Sequence, residues 1–137
     1  MEYFDYEYRV RYSDTDKMGI SYYANYFVWF EAARTEYFRA LEMPYTECEK
    51  SGIFLPVVES QARYHAPCTY DDLLTVRTSV SGFTPSTMRF EYQVFHQLKA
   101  QLLASGYTVH VFVNAAMKPV RVPGQVSARV SIHKLLS

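Results

Sequence analysis

The period of the apolar residues changes along the chain, and this limits the folds that are open to it. In residues 3–12 every second side chain is apolar or aromatic, which is typical of a half-buried strand. From about Tyr23 to Leu41 the apolar residues recur every three or four positions, which predicts a helix that ends before Pro44. Four further alternating runs predict strands near residues 58–65, 74–80, 89–94 and 107–113.

Smaller features complete the predicted elements. Val28 and Trp29 widen the apolar stripe at the front end of the long helix, so we expect that end to be buried nearly all round. A short helix over 45–52 would end at Gly52, and the tail predicts another over 126–136.

The connections between the later strands are short, and this sets the topology. Links near residues 82–86 and 96–99 are too brief for parallel crossovers, so the strands they join should be antiparallel hairpins. We therefore expect one α+β domain over residues 1–137, with a long helix against a five-stranded antiparallel sheet. Because one helix covers only one face of a sheet, we expect the other face and the sheet edge to meet a second copy.

Composition excludes several classes of function. The 14 basic and 14 acidic residues cancel and are well mixed, so we expect no nucleic-acid partner. Cys48 and Cys68 have no metal-type or redox-motif spacing, which favours free thiols in a reducing compartment. The first residues lack the apolar run of a signal peptide, and no stretch is long enough to span a membrane. We expect a cytoplasmic protein with no membrane partner.

The segment between the first strand and the long helix carries the strongest chemical signal. It holds Asp14, Asp16 and Gly19 just before a run rich in aromatic residues. A carboxylate there would lie beside the free N–H groups of a helix start, where a developing negative charge is stabilised. Asp16 is nearer than Asp14 to Gly19 and the helix, so we predict Asp16 as the catalytic carboxylate and Asp14 as a turn-stabilising one. The structural alternative is that Asp16 only caps a turn, which would contribute about 1 kcal/mol.

Other catalytic signatures are missing from the sequence. It has no Gly-x-Ser-x-Gly elbow, the four histidines have no metal spacing, and the five glycines form no phosphate loop. We therefore expect no metal and no cofactor. Glu59 lies at the start of a strand that could border the Asp16 segment, and the alternative is an ordinary strand carboxylate.

The stretch Tyr12-Ser13-Asp14-Thr15-Asp16-Lys17-Met18-Gly19-Ile20-Ser21-Tyr22-Tyr23-Ala24-Asn25-Tyr26 resembles the signature of hotdog-fold acyl-CoA thioesterases, in the 4-hydroxybenzoyl-CoA thioesterase and YbgC-like group. The resemblance continues at residues 29–37, 66–73 and 118–123, and so covers nearly the whole chain. It implies a long helix wrapped by an antiparallel sheet, assembled into dimers and often tetramers. It also implies that coenzyme A enters only as part of an acyl-CoA substrate.

The resemblance further assigns roles to individual residues. It implies that Asp16 acts on the thioester carbonyl, as a nucleophile or as a base for water, and that backbone N–H groups around Tyr23 hold the carbonyl oxygen. Gly19, Tyr23 and Tyr26 would lie at the substrate. Many YbgC-like members have histidine where this chain has Tyr23, so the class of acyl group stays open. A last set of substrate contacts, lying beside the pantetheine arm, would come from the neighbouring subunit: Val58, Glu59 and Ser60.

Two alternative functions remain at this point. One is hydrolysis of thioesters on acyl carrier protein, against which the balanced charge argues weakly. The other is a non-catalytic acyl-CoA-binding module, against which Asp16 itself argues, since a buried unpaired carboxylate is costly. Lys118 and Arg121 are candidates for contacts to the phosphates of coenzyme A.

Overall fold

The computed structural model describes residues 1–43 and 45–135, and it confirms an α+β arrangement with one five-stranded antiparallel sheet. The strand order is β1-β3-β4-β5-β2, so β1 and β2 form the two edges. The strands are β1 (Phe4–Arg9), β2 (Val57–Tyr64), β3 (Leu73–Phe83), β4 (Thr87–His96) and β5 (Gln101–Val111). The helices are α1 (Asn25–Ala40), α2 (Tyr45–Lys50) and α3 (Gly124–Arg129). None of these helices is long and apolar enough to cross a membrane.

Helix α1 covers one face of the sheet, which we call the inner face, through large aromatic side chains. Phe30 stacks on Tyr92 of β4 with ring centroids 4.2 Å apart, and Phe38 meets Phe90 at 5.7 Å. Phe30 and Tyr92 are fully buried. Burial of a large aromatic side chain contributes on the order of 2–3 kcal/mol, so this layer fixes the position of α1 on the sheet.

The predicted helix boundaries were too generous. Helix α1 has 16 residues and begins two residues after Tyr23, and its Val28 is 61% exposed, so its front end is not buried all round. Helix α2 ends at Lys50, and Gly52 follows it with a φ of +84°, which favours glycine. The tail helix ends at Arg129 after six residues, earlier than predicted. Pro44 and Leu136 lie outside the described residues.

Strand β1 is also shorter than the 3–12 run predicted. Its apolar residues do face inward in alternation, but it ends at Arg9, and Tyr12 is 77% exposed in a short 3-10 turn. The turn forms because the Asp14 carboxylate accepts the N–H of Arg11 at 2.8 Å. The short-range hydrogen bond therefore replaces a strand pairing that the apolar pattern alone favours.

The outer face of the sheet, opposite α1, is partly covered by the chain itself. After α3 the tail crosses this face, where Ser79 donates to the carbonyl of His133 at 2.7 Å and Gln93 to that of Leu135 at 3.2 Å. The expectation that this whole face needs a second copy was therefore too simple, because the tail covers part of it. Edge strand β2, in contrast, is exposed along most of its length.

Candidate active site

The segment before α1 folds as a small two-stranded ribbon that holds Asp16 at its turn. Thr15 and Ser21 form an antiparallel bridge, and the N–H of Asp16 donates to the carbonyl of Ile20 at 2.9 Å. Gly19 closes the turn by donating to the Asp16 carbonyl at 3.0 Å, with a φ of +79° that a side chain would disfavour. The ribbon therefore needs glycine at position 19. Gly19 has a structural role, because it forms the turn that holds Asp16.

The two acids of this ribbon differ in their contacts. Asp14 accepts the hydroxyl of Tyr8 at 2.6 Å and the N–H of Arg11, so it is the turn-stabilising acid that the sequence predicted. The pKa of Tyr8 is raised to about 12, mainly by burial and secondly by the hydrogen bond to Asp14, so this phenol stays protonated. Asp14 is thus committed to holding the loop together.

Asp16 is exposed and makes a single hydrogen bond, in which its Oδ1 accepts the N–H of Met18 at 2.8 Å. Its Oδ2 has no partner among residues 1–43 and 45–135. The pKa of Tyr22 is raised, chiefly by the neighbouring Tyr23 phenol, and the charge of Asp16 adds to the rise. One carboxylate oxygen thus holds the turn, as the structural alternative requires, and the other faces outward close to Tyr22.

The start of α1 leaves backbone donors free next to this ribbon. Ala24 caps the helix without a side-chain bond, and the Asn25 side chain instead donates to the Asp14 carbonyl at 2.7 Å. The N–H groups of Asn25, Tyr26 and Phe27 bond back to residues 22–24. Within the part of the chain that the structure describes, those of Tyr23 and Ala24 have no acceptor. Two adjacent free N–H groups at a helix start can hold an oxyanion.

A cavity of about 460 Å³ opens at the start of α1, with walls that include three tyrosines. Tyr23, Tyr26 and Tyr64 form its sides, with ring centroids of Tyr26 and Tyr64 5.1 Å apart. The Tyr64 hydroxyl donates to the Tyr23 carbonyl at 3.2 Å, which ties the end of β2 to the helix start. The apolar alternation predicted Tyr64 only as part of a strand, because alternation gives no information on which chain segment a strand end contacts.

Behind this cavity lies a buried polar cluster that the sequence analysis missed. The Cys68 thiol is hydrogen-bonded to the hydroxyls of Tyr26 and Ser21, each at 3.4 Å, and the N–H of Ser21 donates to the Cys68 carbonyl. Burial raises the pKa values of both Cys68 and Tyr26, so both stay protonated near neutral pH. Cys48 and Cys68 are free and buried, as predicted. A lone cysteine without a motif gives no sequence signal for such a role.

Three predicted substrate contacts lie at one end of β2: Val58, Glu59 and Ser60. Tyr64, which touches the start of α1, lies at the other end. The three predicted contacts are exposed, Val58 sits in a bulge of the edge strand, and the Glu59 carboxylate accepts the Tyr107 hydroxyl. With Tyr64 at the Tyr23 carbonyl and a rise of about 3.3 Å per residue, they lie roughly 13 Å or more from the start of α1. Within one chain, strand β2 therefore approaches the start of α1 with its other end and not with Glu59, and the placing of Val58, Glu59 and Ser60 at a neighbouring subunit's site stays a prediction.

No group of three or more His, Cys, Asp or Glu side chains in residues 1–43 and 45–135 could hold a metal ion. Of the predicted site residues, Tyr23 and Tyr26 line the aromatic cavity together with Tyr64. Asp16 and Gly19 lie in the ribbon, whose Ile20 and Ser21 line the same cavity.

Comparisons with known proteins agree with this architecture. Residues 10–130 match the family model of the thioesterase-like superfamily. The acyl-CoA thioesterase YbgC of Haemophilus influenzae is 37% identical over 128 residues, which covers 91% of this chain and 92% of that protein.

Solved structures are similar over most of the chain. A hypothetical protein from Aquifex aeolicus superposes with a TM-score of 0.88 at 30% identity, covering 93% of this chain and 99% of that one. The DHNA-CoA thioesterase from Staphylococcus aureus gives a TM-score of 0.84 at 34% identity, covering 88% of this chain and 81% of that one. The chain therefore belongs to the thioesterase-like superfamily, and it is a thioester hydrolase with the hotdog fold.

Proposed function

We propose that this protein hydrolyses acyl-CoA thioesters of a short-chain, aromatic or other acyl group to the free acid and coenzyme A, with Asp16 as the catalytic carboxylate. The observation that carries the proposal is that the ribbon holding the exposed Asp16 carboxylate runs directly into the helix start where the N–H groups of Tyr23 and Ala24 are free. The name of the Haemophilus influenzae relative, an acyl-CoA thioesterase, supports the same substrate class.

The chemistry needs a group that adds to the carbonyl carbon and donors that hold its oxygen. In one route the Asp16 carboxylate attacks the carbon, coenzyme A leaves as the thiolate, and water then hydrolyses the mixed anhydride. In the other route Asp16 removes a proton from water, which attacks directly. In both, the oxyanion would lie against the N–H groups of Tyr23 and Ala24. Asp16 itself is exposed in a single chain, so the site needs a further wall to exclude water.

A second copy of the chain would supply that wall. Edge strand β2 is exposed, and two-fold pairing of β2 with its copy is antiparallel. The start of one strand then lies beside the end of the other, which is the end that contacts the start of α1 through Tyr64. Val58, Glu59 and Ser60 of one subunit would thus approach the partner's aromatic cavity and Asp16. We propose a homodimer as the active unit, with a tetramer as a higher assembly.

The remaining parts of the proposal follow from this reaction. Hydrolysis by a carboxylate and backbone donors needs no added cofactor or metal, because coenzyme A is part of the substrate. The substrate pool would be cytoplasmic, in keeping with two unpaired cysteines.

The Asp16→Asn variant tests the catalytic assignment. Asparagine retains an oxygen that can accept the Met18 N–H, so the turn should be preserved while the charge and the nucleophile are lost. We expect kcat to fall by about a hundredfold or more, measured by chromatographic detection of released coenzyme A from short, aromatic and long acyl-CoA substrates. Asp71→Asn is the matched control, because Asp71 is an exposed turn acid that pairs with Arg9. Undiminished turnover by Asp16→Asn would remove Asp16 from the reaction.

Isotope labelling separates the two routes. In a single turnover in H₂¹⁸O, the nucleophilic route transfers an unlabelled Asp16 oxygen to the product when water attacks the Asp16 carbonyl. The general-base route places ¹⁸O in the acid in the first turnover. Under excess enzyme, an unlabelled product acid in the mass spectrum, with ¹⁸O in Asp16, identifies the nucleophilic route. An ¹⁸O-labelled acid fits the general-base route or attack of water on the acyl carbonyl of the anhydride. Two further measurements test the alternative functions. Hydrolysis of acyl-carrier-protein thioesters in the coenzyme A release assay tests the alternative carrier. Tight acyl-CoA binding without any hydrolysis would favour a non-catalytic binding module.

A further inference from the structure

The outer face of the sheet carries a second concavity, of about 550 Å³, that the proposed reaction does not use. It lies beside the tail, across strands β2, β5 and β4, and Leu135 of the tail forms part of its wall. The lining is mixed: Leu102, Tyr107 and Leu135 supply apolar surface, and the polar side chains are Gln61, Arg63, His65, Arg89, Gln93 and Ser105.

The strand register explains why these side chains share one face. Arg63 pairs with Ser105, which pairs with Gln93, so these three residues form one row across the sheet. Side chains an even number of residues apart on a strand point the same way, which adds Gln61 of β2 and Arg89 of β4, and His65 follows directly after β2. The two arginines therefore stand on different strands and at different rows, on opposite sides of the concavity.

Both guanidinium groups are available to a ligand. In the described ranges, no carboxylate oxygen lies within 4.0 Å of Arg63 or Arg89. Arg89 stacks on the Tyr107 ring at 3.8 Å, which holds its planar group in place and leaves its N–H edge free.

Two acids and an imidazole lie close to the two arginines on this face. Glu59 accepts the Tyr107 hydroxyl, and Glu91 is only 3% exposed. His65 is hydrogen-bonded to the Ser105 hydroxyl at 3.0 Å. Neither acid is among the residues that line the concavity, so the permanent charges on its walls are those of Arg63 and Arg89.

His65 connects this concavity to the candidate active site. It lines both the outer concavity and the aromatic cavity beside the start of α1, at the point where β2 ends. A long ligand whose reactive end lies in the aromatic cavity can therefore continue over the end of β2 to the two arginines.

We propose that this concavity binds the phosphate groups of the coenzyme A part of the substrate, through Arg63 and Arg89. The inference rests on the proposed acyl-CoA thioesterase function. Arginine presents a fork of N–H donors that matches phosphate oxygens, and phosphate contacts are charge-assisted. Coenzyme A carries a diphosphate and a separate 3′-phosphate, so two separated arginines suit it better than a single cluster would. The surface of an acidic carrier protein is the competing ligand for these two charges.

The test compares the double variant Arg63→Gln/Arg89→Gln with a double control, Arg39→Gln/Lys50→Gln. The control removes two charges from exposed helix positions that pair with Glu36 and Glu47. Each protein is assayed with an acyl-CoA and with the matching acyl-pantetheine, which lacks the nucleotide. We expect KM for acyl-CoA to rise about tenfold or more in the Arg63/Arg89 variant, because two charge-assisted contacts are lost. We expect kcat, and both constants for acyl-pantetheine, to stay unchanged. If the double variant unfolds, the single variant Arg63→Gln replaces it in the same comparison.

A second measurement does not depend on hydrolysis. Calorimetric titration with adenosine 3′,5′-bisphosphate should show binding to the wild type and the control, and at least tenfold weaker binding to the Arg63/Arg89 variant. If this holds but no acyl-CoA is hydrolysed, the phosphate site stands and the thioesterase proposal fails. An unchanged KM for acyl-CoA in the Arg63/Arg89 variant overturns the phosphate site. So does a KM for acyl-CoA that rises only in the variant Lys118→Gln/Arg121→Gln. A KM that rises in the Arg63/Arg89 variant only for a carrier-protein thioester also overturns it.

Discussion

His110 shows at the scale of one residue how burial sets chemistry. It lies on the inner face of β5 and is 1% exposed, with Nδ1 hydrogen-bonded to the Leu55 carbonyl at 3.0 Å and Nε2 to the Thr108 hydroxyl at 2.9 Å. The Thr108 hydroxyl also meets the buried Tyr92 hydroxyl at 2.6 Å. The pKa of His110 is lowered from 6.5 to about 4, mainly because burial removes water from the imidazole. The hydrogen bond to the Leu55 carbonyl acts in the opposite direction and raises the pKa. The imidazole is therefore neutral at physiological pH and is a structural group.

This pKa predicts how the stability of the protein depends on pH. Between pH 6.5 and 4 the unfolded chain binds a proton at His110 that the folded chain does not, so stability is complete at neutral pH and falls as the pH drops through this window. By pH 4.5 the loss from this one group is roughly 2 to 3 kcal/mol. Urea unfolding at pH 7 and 4.5 measures it against His110→Gln, which can hydrogen-bond but cannot titrate. Equal losses in the two proteins would contradict the assignment.

At the scale of elements, the pairing of β2 with β5 depends on one glycine. A Cβ on Gly106 would lie 2.3 Å from the carbonyl oxygen of Gln61 and 3.0 Å from the Phe30 ring. The small residue thus lets β2 approach β5 while Phe30 stacks beneath on Tyr92. The sequence pattern treats position 106 as an ordinary strand position, because the close approach comes from β2, more than 40 positions earlier in the chain.

We expect Gly106→Ala to lower the free energy of unfolding by about 1–3 kcal/mol, because a backbone atom cannot move aside as a side chain can. Gly82→Ala is the matched control, since its Cβ would meet nothing within 4 Å. Thermal unfolding of both variants measures the difference. A Gly106→Ala protein as stable as the control would show that β2 can shift without cost, and β2 could not then be the fixed edge that the proposed dimer needs.

At the scale of the whole molecule, the two sides of the sheet are closed in different ways. Helix α1 seals the inner face, and the tail covers part of the outer face. The edge of β2 is open and carries the exposed apolar Val57 and Val58, and long exposed edges are sites of strand pairing. The proposed dimer would cover this edge and complete the site next to Asp16.

We expect analytical ultracentrifugation to show a dimer or a multiple of it for the wild type, and a shift toward monomer for Val58→Lys, since a charge on an edge strand opposes pairing. Thioesterase activity should fall with dimer content. Leu98→Lys is the control, because Leu98 is 87% exposed in the turn between β4 and β5. A wild-type monomer with full activity would exclude the shared site.

The amino-acid sequence by itself determined the order of the elements, because the period of the apolar residues reports directly which side of each element is buried. It also identified Asp14 as a turn-stabilising acid, since short-range turn chemistry depends on neighbours in the chain. It failed at element ends, as at Tyr12 and Val28, where local hydrogen bonds and partial exposure compete with the apolar pattern.

Only the tertiary structure decided which distant residues meet. It placed Tyr64 against the carbonyl of Tyr23, Cys68 against Ser21, and Arg63 and Arg89 around one concavity. Each of these contacts joins segments that are dozens of residues apart, and their proximity follows from strand order and register. Periodicity carries no information on either of these, because it records burial along one element and not the identity of its neighbour.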